Sequence, residues 1–157
     1  MPCLSRRSVK SGSTWWLSDP QRSEVEMIET KGVVHFSIPV SDLVRSREFY
    51  TQVLGLQLVA APPGSGMVFL RTGSDYVVLC ASKTPIAPNV ADETLVHHAF
   101  MVDPEHYDEA KAFLGDCGVG ILFEEDRKQG VFVGRQFYFH DPDHNVLEIS
   151  EWHGKRV

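Results

Sequence analysis

An α+β fold built from two tandem β-α-β-β-β modules is predicted by three observations. A β-rich run leading into a helix cap occurs twice, over residues 33–40 and 95–102. The interval from His35 to His97 matches that from Gly55 to Gly118 to within one residue, so the helix follows at the same distance in both copies. Three short strand candidates then follow each helix. Self-similarity at a fixed period signals a repeated supersecondary unit.

Each element has its own local cause. In 33–40 the strand period of two puts Val34, Phe36, Ile38 and Val40 on one face and His35, Ser37 and Pro39 on the other. Ser41 or Asp42 then offers a side-chain oxygen to the free N–H groups of a helix start. Leu43, Ser46, Phe49, Tyr50, Val53 and Leu54 recur at three-to-four spacing as a buried stripe, and Gly55 can close the helix in the left-handed conformation. Strands are expected at 57–60, 67–71 and 76–81, with Pro62-Pro63-Gly64 and Gly73-Ser74-Asp75 as turns. In the second copy Asp103 offers the N-cap and Pro104 suits the first helical position. Tyr107, Ala110, Phe113 and Leu114 make the stripe, and Gly115 to Gly118 end it. Strands are expected at 120–124, 132–140 and 146–152.

The domain therefore spans 31–153: module one is 31–82, a linker with Pro85, Pro88 and Asn89 is 83–93, and module two is 94–153. Residues 154–157 are a short tail. Residues 1–30 mix six serines with Arg6, Arg7, Lys10 and Arg22 without lasting periodicity, as a flexible extension does. Trp15-Trp16-Leu17 is too short for the roughly 7–15 apolar residues of a secretory signal.

Composition narrows the partners. With 15 Lys+Arg against 21 Asp+Glu, a net charge of −6 leaves no electrostatic footprint for nucleic acid or anionic lipid. Apolar runs such as Val77-Val78-Leu79-Cys80 fall far short of the ~20 residues of a membrane span. The 3 cysteines are an odd number without metal-type spacing, which suits free thiols in a reducing compartment, the cytoplasm. A small-molecule substrate and a second copy of the chain are the expected partners.

The chemistry-bearing residues lie on one face of the repeat. A lone strand histidine is more often a satisfied core or surface residue than a ligand; two at repeat-equivalent positions weigh the other way. His97 keeps the register of His35, whereas its neighbour His98 shares a face with Phe100 and Val102. Asp141-Pro142-Asp143-His144-Asn145 is strong turn chemistry. A turn centred on Asp143 opposes 140 to 146, 138 to 148 and 136 to 150, so Gln136, Tyr138, His140, Glu148 and Ser150 share one surface. Glu148 alone reads as an exposed charge on a half-buried strand, as does Glu151. Two imidazoles with one carboxylate, however, make up a facial metal triad with positions left open, suited to Fe or Mn, and Zn accepts the same set.

These features resemble the vicinal oxygen chelate superfamily, which includes glyoxalases, extradiol dioxygenases, fosfomycin-resistance transferases, epimerases and bleomycin-binding proteins. The resemblance rests on Val33-Val34-His35, Phe49-Tyr50, Leu54-Gly55-Leu56, His97-His98-Ala99-Phe100 and the closing run from Phe137 to Glu148. It implies curved mixed β-sheets around a metal-binding cleft, a divalent ion (Fe, Mn or Zn) held by His35, His97 and Glu148, and a homodimer, with module exchange bringing His35 from the neighbouring chain. Leu79 stands where four-ligand glyoxalases carry a glutamate, which lowers that reading and suggests one site per chain. Arg127-Lys128-Gln129-Gly130 replaces the stretch holding a dioxygenase's catalytic histidine, and 132–136 replaces the potassium loop of fosfomycin transferases, making that activity unlikely. The expected activity is metal-dependent chemistry on a small substrate with vicinal oxygens, dioxygenase-like first, isomerase, epimerase or lyase next. Tyr138 would donate to developing oxyanion charge and His140 would shuttle a proton. Ser37, Lys128, Arg135 and Gln136 are candidate substrate contacts, a solvated surface cation being at least as good a reading of Lys128 and Arg135. The rival from another class is a metal-free drug-binding protein of the bleomycin-resistance type.

Overall fold

The computed structural model of the chain describes residues 30, 32–84 and 95–152. The extension up to residue 29, the linker beyond Thr84 and the tail 154–157 lie outside the described residues. The elements are β1 (His35–Val40), α1 (Leu43–Glu48), a π-helical turn (Phe49–Val53), β2 (Gln57–Ala60), β3 (Met67–Thr72) and β4 (Asp75–Ala81) in the first module. The second holds β5 (His97–Met101), a 3-10 turn (Pro104–His106), α2 (Tyr107–Asp116), β6 (Ile121–Arg127), β7 (Gly134–His140) and β8 (Val146–Ser150).

The repeat reappears in the sheets. Strand order is β1-β4-β3-β2 in one and β5-β8-β7-β6 in the other. In each, the first and last strands of a module pair in parallel and the remaining pairs are antiparallel. Helices pack on one face of the sheets, and both modules feed one apolar cluster. Ile38, Tyr50, Leu70 and Leu79 come from the first; Tyr107, Phe137, Phe139 and Leu147 come from the second. Removing this apolar surface from water is the main drive holding the two halves together.

Several local expectations are sharpened or corrected. Asp42 is the helix cap, accepting from the N–H groups of Val44 (2.9 Å) and Arg45 (3.1 Å). Ser41 turns instead to the second module. Phe113 stays 48% exposed while Tyr107 and Leu114 carry the α2 stripe. Gly118, with φ +76°, supplies the left-handed residue after α2. Glu151 is buried, not exposed: its carboxylate accepts from the backbone N–H of Arg135 (3.0 Å) and from the Arg135 guanidinium (2.7 and 2.8 Å).

The turn at 141–145 locks the modules together. Asp141 accepts from the N–H groups of Asp143 and Asn145 (both 2.8 Å) and from the buried Tyr50 hydroxyl (2.9 Å). Asn145 donates to the Pro39 carbonyl at 3.0 Å. Asp143 accepts from the Ser41 N–H (3.0 Å), the Ser41 hydroxyl, Ser46 (3.2 Å) and Arg45 (2.7 Å). Among the described residues no helix is long and apolar enough to cross a membrane.

Candidate functional site

Strand parity builds the site. The β7–β8 register pairs Gln136 with Ser150, Tyr138 with Glu148 and His140 with Val146, as the turn chemistry predicts. The parallel β5–β8 pairing sets His97 beside Val146 and Ala99 beside Glu148. The β6–β7 register adds Phe123 opposite Tyr138 and Glu125 opposite Gln136, with Arg127 at the strand end opposite Gly134. Since paired residues point to the same side, all of these rise from the sheet face away from α2.

On that face His97 Nε2 lies 3.1 Å from Glu148 Oε2. Glu148 is only 5% exposed, and a buried carboxylate is costly unless its lone pairs are used. Tyr138 pairs with Glu148 in the β7–β8 register, on the same side of the sheet. Its hydroxyl lies 3.3 Å from Glu125 Oε1, 3.3 Å from Gln136 Oε1 and 3.4 Å from Arg127 Nη2. Burial, then the neighbouring Glu148 carboxylate, push the Tyr138 phenol well above its ordinary acidity range. It therefore keeps its proton and serves as a donor. Phe123 stacks on the Tyr138 ring at 4.4 Å and the His97 ring meets its edge at 5.4 Å, so packing fixes the phenol. Gln136, fully buried, is anchored through Nε2 to the Phe132 carbonyl at 3.0 Å.

The face opens into a cleft of about 1020 Å³. His97, Glu148, Ser150 and Arg127 line it on one side; Phe36, Tyr76 and the 72–75 hairpin of the first module line the other. Phe132 and Trp152, ring to ring at 5.6 Å, also line it.

The expected site residues divide accordingly. His97, Glu148, Tyr138 and Gln136 come together. His98 has the opposite parity and its ring lies 5.8 Å from that of Phe36, where burial and then neighbouring His97 lower its basicity; the 3.1 Å contact makes His97 the imidazole partner of Glu148. His35 and Ser37 share an exposed face of β1, and the chain does not bring His35 to the pair; no group of three His, Cys, Asp or Glu side chains suited to a metal occurs among the described residues. His140 ends β7 against the His144 ring at 5.1 Å, outside the cleft lining. Lys128 is 76% exposed and pairs with Asp126. Arg135 has the opposite parity from Tyr138: it bonds Glu151 and Asp108 and covers the Tyr107 ring at 4.2 Å, so it stabilises the helix side. Leu79 is likewise a core residue paired with Ile38. The register counterpart of Glu148 in the first module is Val78, opposite Ser37, so the conclusion that this module lacks the carboxylate stands on a different residue. Arg127 and Glu125 were not foreseen, because the strand was expected to end at residue 124.

The described residues bring together two donors of the kind a divalent ion takes, one imidazole and one carboxylate. An imidazole nitrogen and a carboxylate oxygen on one ion, each about 2.1 Å away, sit roughly 3.0–3.4 Å apart, and 3.1 Å is what this pair shows.

Sequence comparison agrees with this architecture. The profile of the Glyoxalase/Bleomycin resistance protein/Dioxygenase superfamily matches residues 32–149. The chain belongs to that superfamily. Among individual relatives, the glutathione transferase FosA of Serratia marcescens is 33% identical over 117 residues, 73% of this chain and 77% of that protein. The metallothiol transferase FosB of Staphylococcus epidermidis is 29% identical over 122 residues, 78% of this chain and 82% of that one. In structure, the fosfomycin resistance protein FosX of Listeria monocytogenes superposes with a TM-score of 0.66 at 21% identity, covering 79% of this chain and 94% of its own. That likeness shows the fold.

Proposed function

We propose that the chain is a divalent-metal-dependent enzyme that acts on a small substrate bearing neighbouring oxygen atoms, by a group-transfer or glyoxalase-type reaction. The observation that carries this is the His97–Glu148 pair at 3.1 Å, set in the cleft beside the Tyr138 hydroxyl. His97 and Glu148 would hold the ion, with His35 of the partner subunit as third ligand. His35 sits on an exposed strand face in its own chain, and Val33, Val34 and Phe36 beside it are 53–78% exposed. Such an apolar edge is what a second copy would cover. The dimer then exchanges modules, and each site draws on both chains.

Bound there, a divalent ion supplies Lewis acidity to two chelating substrate oxygens. The chain's own residues do the rest. Tyr138, kept protonated, donates a hydrogen bond where oxyanion charge develops. Phe123 holds its ring and Gln136 its hydroxyl, and Phe132 with Trp152 gives the cleft an apolar wall. Ser37, on the His35 face, would approach the substrate together with that histidine. Addition of a thiol or water is favoured over oxygen activation, because the curated relatives are named glutathione and metallothiol transferases. Cys80 and Cys117, free among the described residues, suit a reducing compartment such as the cytoplasm.

Binding of Mn(II), Zn(II) and Fe(II), followed by glutathione consumption with fosfomycin as first substrate, tests this; the names of the relatives outweigh the expectation against such transfer drawn from residues 132–136. About one ion per chain is expected, lost in His97→Ala and Glu148→Ala. A wild-type chain that takes up neither Mn, Zn nor Fe would overturn the proposal and leave the metal-free drug-binding reading, which the aromatic cleft favours.

A further inference from the structure

We propose that His140 and His144 form a second metal site, a two-imidazole clamp at the β7–β8 turn that takes a divalent ion of the Zn(II), Ni(II) or Cu(II) kind. It lies outside the cleft and draws on neither His97 nor Glu148.

The backbone is the first support. His144 has φ +63°, and every other described residue with positive φ is a glycine. A Cβ is crowded in that region, which is why turns give such a place to Gly or Asn. The turn holds the histidine there by force of its neighbours. Its N–H donates to the Asp141 carbonyl at 3.0 Å, and the N–H groups of Asp143 and Asn145 both bond the Asp141 carboxylate at 2.8 Å. Backbone strain of this kind gathers at sites of function. Here it turns the His144 ring onto that of His140, with centroids 5.1 Å apart and planes at 66°.

The separation is the second. Two imidazoles that share a tetrahedral ion, each nitrogen about 2.1 Å from it, hold their ring centres about 5 Å apart. A plain edge-to-face contact spans about 4.5–7 Å, so the donors have to decide between the two.

The donors favour the ion. His144 is exposed and His140 half-buried, and among the described residues no side chain hydrogen-bonds or ion-pairs with either ring. The nearby carboxylates are engaged elsewhere. Asp141 accepts from Tyr50 and from the turn's own N–H groups, and Asp143 accepts from Ser41, Ser46 and Arg45. Imidazoles without a carboxylate suit Zn(II), Ni(II) and Cu(II) and disfavour Mn(II), which prefers oxygen. The same turn carries the bonds from Asp143 to Ser41 and from Asn145 to Pro39. An ion clamped on it therefore stabilises the folded chain by mass action.

Titration of the full-length protein with Zn(II) and, separately, Mn(II) tests this, with thermal unfolding at each end point. His144→Gly relieves the backbone and keeps the fold, so it is the decisive variant; His140→Gln is the second. In excess Zn(II) the wild type should hold one ion per chain more than either variant, whose affinity at this site falls about a hundredfold. The Mn(II) count should be the same in all three. Glu148→Ala should retain this Zn(II), and the rise in Tm that Zn(II) brings should be smaller in His144→Gly than in wild type. Equal Zn(II) uptake by wild type and His144→Gly, or a Glu148→Ala chain that binds no Zn(II), would overturn the proposal. A wild type that takes no Mn(II) but one Zn(II), lost in His144→Gly, would support it and count against the cleft centre alone.

Discussion

Replacing Asp143 by alanine removes the acceptor that joins the start of α1 to the β7–β8 turn. Four donors converge on it: the Ser41 N–H and hydroxyl, the Ser46 hydroxyl and Arg45. Its side chain is only 7% exposed, while Arg45 is 48% exposed. Arg45 and Ser41 recover water when the carboxylate is lost, so their contacts count for little. Ser46 is fully buried and is left with an unmet hydroxyl, at about 1–3 kcal/mol. Adding the lost charge-assisted bond from the Ser41 N–H gives a net cost of about 2–3 kcal/mol, or a fall in Tm of about 5–10 °C for a chain of this size. The pH dependence gives a second reading. Burial raises the pKa of Asp143, but the bonds from Ser41 and Arg45 outweigh it and hold the carboxyl below its ordinary value. A carboxyl depressed on folding stabilises above its unfolded value and loses that contribution as pH falls through the folded one. The gap between wild type and Asp143→Ala should therefore be full at pH 7 and shrink below about pH 4. Urea titrations across that range, with the slope m unchanged, measure it. A shift under 1 °C at pH 7, or a gap that grows on acidification, would refute the assignment of Asp143 as the module lock.

Other outcomes follow from the same geometry. Tyr138→Phe should lower kcat about 100-fold and retain metal, as metal analysis beside steady-state kinetics would show; an unchanged kcat would remove Tyr138 from the chemistry. Glu151→Ala should cost about 1–3 kcal/mol, since it strands the backbone N–H of Arg135 while the guanidinium keeps Asp108, without changing metal affinity. His140→Ala should leave Mn(II) binding intact and alter kcat only if the His140–His144 pair reaches the substrate in the dimer, which a pH–rate profile of the variant decides.

Much of this was legible in the sequence because it depends on local rules. The doubled histidine-bearing strand, the turn at 141–145 and the register it sets all follow from period-two alternation and from Pro and Asn chemistry. Those rules put Tyr138 and Glu148 on one face, as found. What escaped depends on strand ends and tertiary context. Asp126-Arg127-Lys128 reads as a loop, yet β6 is an edge strand, where charged residues are tolerated because one side faces water. That extension is what places Arg127 in the cleft. Arg135 was legible and missed: one residue from Gln136, it has to face the helix. Glu151 looked like a surface charge because burial against Arg135 depends on the close approach of Gly134, where an added Cβ would meet Glu151 at 3.2 Å.

The proposal of a metal centre shared between two chains is tested most directly by complementation. Chains carrying His35→Ala and Glu148→Ala, each with a different affinity tag, are co-expressed, the heterodimer isolated, and its Mn(II) content measured. Each variant homodimer should be empty or nearly so, and the heterodimer should bind one ion per dimer, because one of its two sites keeps all three ligands. An empty heterodimer, or a His35→Ala homodimer that still binds one ion per chain as tightly as wild type, would contradict a centre built from His97 and Glu148 of one chain and His35 of the other.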